Sequence, residues 1–428
     1  MPEHESDIIW PEYETLDLLN NLDKLNHRVF STLFFSIFAT VSGVGIVVPL
    51  LPVYAHQSGA SGFAIGLIFG AFSISRTLFL PYFGRLSDRK GRKPLIVPGL
   101  FAYAVVSALF MASTGVTSLI LVRFFQGIAS AALMPVIQAY VGDITPPGRE
   151  GATMGFFNLS MFFGLGIGPL LGGAIRDQWG LEAAFGGMGL LALIGFFLAL
   201  TLLPPARSER IIRSPRPPAT WRQLVLDRDL FSLFTFRFGY TFGIGILWSF
   251  LPVLADGEHH LSAAGIGLII MLGVLLSGII QVPLGAVADR FNKRAMIGCG
   301  GLVVSLALAV LGCSRGQVGL VGASILFGVG GGISMAAHVA LSVQKGSRTD
   351  AMGSVMAILT VAHSMGMMVG AVSAGLMMDV FSLRAVFPMG AGIMLACTLA
   401  FFFGYGRTNQ ASGRPHGTGF KTPDQGPG

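Results

Sequence analysis

Runs of predominantly apolar residues, each closed by a short polar turn, recur along almost the whole chain. A helix needs about 20 such residues to cross a bilayer, and hydrocarbon admits only helices or closed barrels because every backbone polar group must be paired internally. These runs are long and continuous, which predicts helices. They fall at 27–53, 61–84, 93–113, 117–142, 149–176 and 182–203, and then, after a polar stretch, at 229–255, 262–288, 294–313, 316–344, 349–377 and 383–405. The pattern therefore predicts an all-α integral membrane protein with twelve transmembrane helices.

Composition agrees: of 428 residues, 53% are hydrophobic and only 11% charged, against roughly 25% charged in an ordinary soluble domain. A soluble chain of this length would need a polar surface that this composition cannot supply, so the surface must face lipid. Cys299, Cys313 and Cys397 lie in apolar runs without paired spacing, which excludes a disulfide framework or a cysteine-rich zinc site and reads as buried free thiols. The net charge of +7 sits in short clusters between apolar runs, where membrane topology explains it better than nucleic acid does. Of the 28 Lys and Arg, 22 fall on one side of the predicted spans, while Arg176, Arg315 and Arg384 fall on the other and Arg76, Arg123 and Arg237 lie inside spans. By the positive-inside rule both termini are expected in the cytoplasm, and a bacterial inner membrane is the favoured location. The acidic, polar start lacks the form of a secretory signal, so no cleaved leader is expected.

Residues 204–228 are polar, basic and proline-rich, as suits a linker. They divide the chain into a tail (1–26), a first six-helix unit (27–203), a second (229–405) and a Gly- and Pro-rich tail (406–428) expected to be disordered. Leucines at helical spacing in the first tail allow a short amphipathic helix, although a loosely ordered cytoplasmic segment is the plainer expectation. The two units are repeats. Gly164, Gly168, Gly173 and Asp177 fall on Gly366, Gly370, Gly375 and Asp379 at one offset of 202. Two units in the same orientation are the parallel-repeat design of transporters that carry solute between their halves.

The loop after the second span reads Gly84-Arg85-Leu86-Ser87-Asp88-Arg89-Lys90-Gly91-Arg92-Lys93, and a degraded copy, GAVADRFNKR, recurs at 285–294. It closely resembles the G-x-x-x-D-R-x-G-R-[KR] signature of the major facilitator superfamily. Arg123-Phe124-Phe125-Gln126-Gly127 is similar to that superfamily's R-x-x-Q-G element. Gly155, Gly164, Gly168-Pro169 and Gly172-Gly173 form a complete G-x8-G-x3-G-P-x2-G-G, which looks like the antiporter signature of its twelve-helix drug:proton exporters. The resemblance covers residues 27–405 and implies two pseudo-symmetric six-helix bundles rocking about a midplane cavity. It further implies a cytoplasmic latch in which Asp88, with Gly84 and Arg89 beside it, joins Arg92, Asp143 and the start of the eleventh helix. Asp289 and Lys293 would form a weaker second copy, because Gln344 replaces the counterpart of Asp143. The glycines of the fifth span would seal the halves together, usually against the eighth helix.

Ionisable groups inside spans are costly and point to function. None of the 21 Asp and Glu occupies a span centre, leaving Arg76, Arg123 and Arg237, with His338, His363 and neutral residues such as Gln126. Arg76 is too deep to snorkel, Arg123 lies on a helix that lines the cavity in the family, and Arg237 is expected to snorkel to the cytoplasmic end. Imidazole titrates near neutrality, so His338 is a candidate proton carrier, whereas His363 is expected to pack. The expected substrate or proton pathway is therefore Arg76, Arg123, Gln126 and His338. Without a buried carboxylate, the cavity is expected to favour an anionic, zwitterionic or amphiphilic solute.

No catalytic residue, cofactor or metal site is expected, nor a nucleotide-hydrolysing domain. Its partners would be a small-molecule substrate, protons and the bilayer, with the protein working as a monomer and no nucleic acid bound. Proton-driven export leads, ahead of import of an organic anion or a role as a non-transporting sensor or scaffold.

Overall fold

The structure, a computed structural model, describes residues 12–145, 150–204, 223–224, 226–349 and 351–406; within these, the side chains of residues 12–26, 150–156 and 286–290 are not described. The expected proline-rich linker lies mostly outside these residues, and the expected disordered tail lies outside from residue 407 onward.

Twelve long helices cross the molecule: α1 Glu12–Gln57, α2 Gly62–Lys90, α3 Lys93–Met111, α4 Val116–Ile144, α5 Glu150–Trp179, α6 Leu181–Leu202, α7 Arg228–Gly257, α8 Ala263–Arg290, α9 Lys293–Cys313, α10 Gln317–Arg348, α11 Met352–Val380 and α12 Val386–Gly404. All twelve contain a segment apolar and long enough to span a membrane. Local chemistry sets their ends. Ser61 caps α2 by accepting from Ala64 N at 3.2 Å, Asp227 caps α7 by accepting from Leu230 N at 2.8 Å, and Asn292 caps α9 by accepting from Arg294 N and Ala295 N. Prolines inside α1, α2, α3, α4, α5, α7 and α8 are tolerated because neighbouring helices and polar side chains compensate for the freed backbone groups. Helix α1 starts at Glu12, ahead of the expected span, because neither Gly nor Pro interrupts residues 12–42 and nothing stops the helix from propagating.

Packing obeys the internal repeat. In the first six helices α1 packs on α5 and α6, α2 on α4, and α3 on α4 and α6; the same set recurs six helices later, with α7 on α11 and α12, α8 on α10, and α9 on α10 and α12. Helices α1 and α7 are the most enclosed. The peripheral helices turn apolar rows outward, Phe101, Val105 and Leu109 on α3 and Leu302 and Leu306 on α9, as lipid requires and water would not tolerate. The expectation of buried thiols is corrected here: all three cysteines are free, but Cys299 and Cys313 are exposed on the outer side of α9 and Cys397 is half-buried.

Across the repeat, the main contacts are α5 with α8 and α2 with α11. With twelve spans, α1 begins and α12 ends at the same face, which also carries most of the basic loops and is called the basic face below.

Candidate functional site

A cavity of about 660 Å³ lies between the two bundles, within the range of about 300–1,000 Å³ typical of sites for small organic ligands. The bundles close it on the side away from the basic face. There a Cβ on Gly66 would run into the Ala371 carbonyl, one on Gly173 into the Ala263 carbonyl, and one on Gly267 into the Pro169 carbonyl, so only glycine lets these backbones meet. Toward the basic face the helices stand apart: neither Gly84 of α2 nor Gly353 of α11 has any atom within 4 Å of where a Cβ would be. The cavity is thus open to the basic face and shut on the other.

Its lining is largely apolar, with Phe72, Trp248 and Phe327 among the aromatic members, and contains no Asp or Glu among the described residues. Arg76 from α2, Arg237 from α7, His338 from α10 and His363 from α11 supply the ionisable groups near the solute space. Arg76 Nε is buried without a hydrogen-bond partner. Arg237 does not snorkel as expected: it turns into the cavity, where Nη1 meets Met335 Sδ at 2.8 Å and Nη2 meets His363 Nδ1 at 3.3 Å. A guanidinium has no acceptor, so Nδ1 of His363 accepts. His338 Nε2 lies 3.0 Å from the Leu233 carbonyl and therefore donates, tying α10 to α7.

Arg123 and Gln126 sit elsewhere. Both are buried between α4 and α2 and are absent from the cavity wall. Arg123 Nη1 donates to Gln126 Oε1 at 2.7 Å, Nε reaches the Ile68 carbonyl at 3.4 Å, and the guanidinium lies 4.8 and 4.9 Å from the ring centres of Phe69 and Phe72. In this conformation they brace two helices, and of the expected pathway residues only Arg76 and His338 stand at the cavity.

At the basic face Arg92 gathers the first latch. It bonds Asp88 at 2.6 Å and Asp143 at 3.0 Å, with Ser87 Oγ at 2.6 Å. Partial burial alone would lower the Arg92 pKa, but hydrogen bonds to Asp143 and Asp88 and their charges outweigh it and raise the value, keeping the guanidinium cationic. Gly91 makes the turn with φ +89°, a conformation glycine alone adopts without strain. Arg89 is exposed. All of these groups belong to the first bundle, and among the described residues Asp88 has no partner on α11. The second copy is built differently: Lys345 of α10 pairs with Asp227 at 2.7 Å and with Asp229 at 3.7 Å at the start of α7, while Lys293 is half-buried and the side chain of Asp289 lies outside the described residues.

The antiporter-like glycines divide by face. Gly164, Gly168 and Gly172 pack on α1, where added Cβ atoms would meet Phe38 O at 3.1 Å, Ser42 O at 2.6 Å and Ile46 Cα at 2.8 Å. Gly173 faces α8 instead, together with Gly166, whose Cβ would meet Leu275, while Pro169 sits between the two, its ring against Gly45 of α1 and its carbonyl against Gly267 of α8. The surroundings of Gly155 lie outside the described residues. Most of the pattern therefore holds the first bundle together, and its last turn meets the other half.

Two carboxylates complete the closed side. Asp379 at the end of α11 accepts from Gly62 N at 2.6 Å and Phe63 N at 2.8 Å, and Asp177 at the end of α5 accepts from Ala263 N at 3.1 Å and Ala264 N at 2.9 Å. Each caps the first turn of a helix in the opposite bundle, where unpaired amides and the positive end of the helix dipole favour an anion. Sequence reasoning assigned them no role; their coincidence at the repeat offset was the signal that could have found them.

Comparison with known proteins agrees with this architecture. The family model described as Major Facilitator Superfamily matches residues 33–255 and 233–423. An uncharacterised MFS-type transporter of Methanocaldococcus jannaschii is 29% identical over 86% of this chain and 96% of its own length. Multidrug resistance protein 2 of Bacillus subtilis is 28% identical over 63% of this chain and 69% of its own length. Among solved structures, the human organic anion transporter MFSD10 (TETRAN) superimposes with a TM-score of 0.65 at 21% identity, covering 88% of this chain and 99% of that one. With its repeated bundles, its cavity between them and a family match running through both, the chain belongs to the major facilitator superfamily and is a multi-pass membrane transporter rather than an enzyme.

Proposed function

We propose that the protein exports a small organic or amphiphilic solute in exchange for entering protons, by alternating access between the two bundles. The observation that carries this is the cavity between the repeats, shut by glycine contacts and carboxylate caps on one side and open on the basic side. The positive-inside rule assigns the basic face to the cytoplasm, so the cavity loads from within. The Gly-Pro pattern of α5 and the multidrug resistance relative support the outward direction. With no carboxylate among the described residues of the cavity wall, the proton is taken by an imidazole, His338 or His363.

A second reading, import of an organic anion, is favoured by the two arginines on the cavity wall; the structural neighbour with that solute class shares only the fold. Flux through sealed vesicles of known orientation separates the two. Export predicts that an inward proton gradient drives solute out and that the His338→Gln, His363→Gln double variant loses this dependence. Solute accumulating inward, or no flux of any solute, would defeat the export reading.

A further inference from the structure

Cations buried at membrane depth are ordinarily matched by an anion or fully hydrogen-bonded. Arg123 comes near the second condition, with two of its donors on Gln126 and the Ile68 carbonyl and two ring faces beside it. The two arginines on the cavity wall meet neither. Among the described residues, the guanidinium of Arg237 hydrogen-bonds a thioether sulfur and an imidazole nitrogen, both weak partners for a charged fork of five donors, and Arg76 leaves a buried Nε without a partner. No Asp or Glu among the described residues lines the cavity to neutralise them. Arg76 belongs to the first bundle and Arg237 and His363 to the second, and all three line the one cavity.

We propose that Arg237, held against His363, and Arg76 opposite it form the binding site for the anionic group of an amphiphilic organic anion, a carboxylate, sulfonate or phosphonate carried on an apolar body. This rests on the reading of the cavity as the transport site. Two guanidinium groups facing one cavity repel each other, and an anion between them converts that repulsion into two charge-assisted contacts. Because the cations come from opposite bundles, the bound anion also draws the halves together, which favours closure around a loaded site. Phe72, Trp248, Leu251 and Phe327 supply apolar wall for the body of the solute. A cationic solute would instead add a third positive charge.

The test uses purified full-length protein in phosphatidylcholine nanodiscs and two probes of matched body and opposite charge, naphthalene-2-sulfonate and 2-naphthylmethylammonium, followed by equilibrium dialysis. The sulfonate should bind at least tenfold more tightly than the ammonium. Arg237→Gln and Arg76→Gln should each weaken sulfonate binding at least tenfold, Arg237→Lys should recover part of the loss, and Arg315→Gln, on the exposed turn between α9 and α10, should change nothing. Gel-filtration profiles and unliganded melting temperatures of the variants identify any that fail to fold, in which case the sulfonate-to-ammonium ratio and Arg237→Lys decide. Equal binding of the two probes, or sulfonate affinity within twofold of wild type in folded Gln variants, overturns the site. Loss of sulfonate binding when phosphatidylglycerol is added to the discs, with none on adding the same charge as sulfate, assigns the site to a lipid headgroup and overturns the free solute. The transport reading keeps a separate readout: flux without anion preference sinks only this site, whereas sulfonate binding without flux of any solute sinks only the reading beneath it.

Discussion

The guanidinium of Arg123 is enclosed by Phe69, Phe72 and Gln126 between two helices of one bundle, whereas that of Arg237 opens onto the cavity between bundles. Both are arginines inside apolar spans, and the sequence expectation assigned the pathway to the first and the water interface to the second. Depth along a helix is readable from a sequence; the direction in which a long side chain turns depends on what packs beside it. Gly127 of α4, packed against α2, is a case where packing has one strict demand. A Cβ there would collide with Ser75 Oγ and the Phe72 carbonyl and come within 3.1 Å of Arg76 N. Gly127→Ala should therefore cost about 1–3 kcal/mol, as overpacking does, and lower the melting temperature in detergent by several degrees. An unchanged midpoint would show that α2 yields more easily than its backbone contacts suggest.

Helices α2 and α8 each receive an aspartate from the opposite bundle, and the two caps are copies of each other under the repeat. Replacing a carboxylate by an amide removes the charge while keeping most of the shape, so the double variant Asp177→Asn, Asp379→Asn isolates the interaction with the helix ends. A charge at a helix N-terminus contributes about 0.3–2 kcal/mol, and with two caps the closed side should lose about 0.6–4 kcal/mol. That is sufficient to shift an equilibrium between inward- and outward-open states by tenfold or more at the midpoint of the range. Spin labels at Ala60 and Phe381, on a background without Cys299, Cys313 and Cys397, report the change: the double variant should show a longer distance between them. An unaltered distribution means that the glycine contacts alone hold that side shut.

At the scale of the molecule, the two ends of α2 tell the same story in opposite senses. Its start is locked to α11 by Asp379, while at its far end Gly84 and the start of α11 stand free and Asp88 is satisfied within its own bundle. The proposed alternating access would exchange these conditions: opening the closed side would bring Gly84 toward Gly353 and Asp88 toward the N-terminus of α11, where the family resemblance expects it. The pair Gly84→Cys, Gly353→Cys should cross-link poorly in the wild-type background and several-fold faster once Asp177→Asn and Asp379→Asn are added. Equal rates in both backgrounds would argue against coupled ends.

Much of this was legible beforehand. The twelve spans, most of their boundaries to within a few residues, and the repeat follow from local chemistry: hydrocarbon dictates the length of apolar runs, caps and glycines mark their ends, and a duplicated unit repeats its small residues. The family came from the resemblance of its motifs. The ion-pair cluster around Arg92 was also readable, since Asp88 lies four residues from it on one stretch of chain and the resemblance named Asp143, but among the described residues the start of α11 that the resemblance added is not joined to it. Tertiary structure alone decided the rest. Which arginines face the cavity, which glycines of α5 meet α1 and which meet α8, and that Asp177 and Asp379 close the far side all depend on helix rotation and on contacts between residues 86 and more apart in sequence. Apolar periodicity is nearly silent about rotation in a membrane, because lipid and protein interior are equally apolar; small side chains and buried polar groups fix it, and their partners become visible only once the helices are assembled.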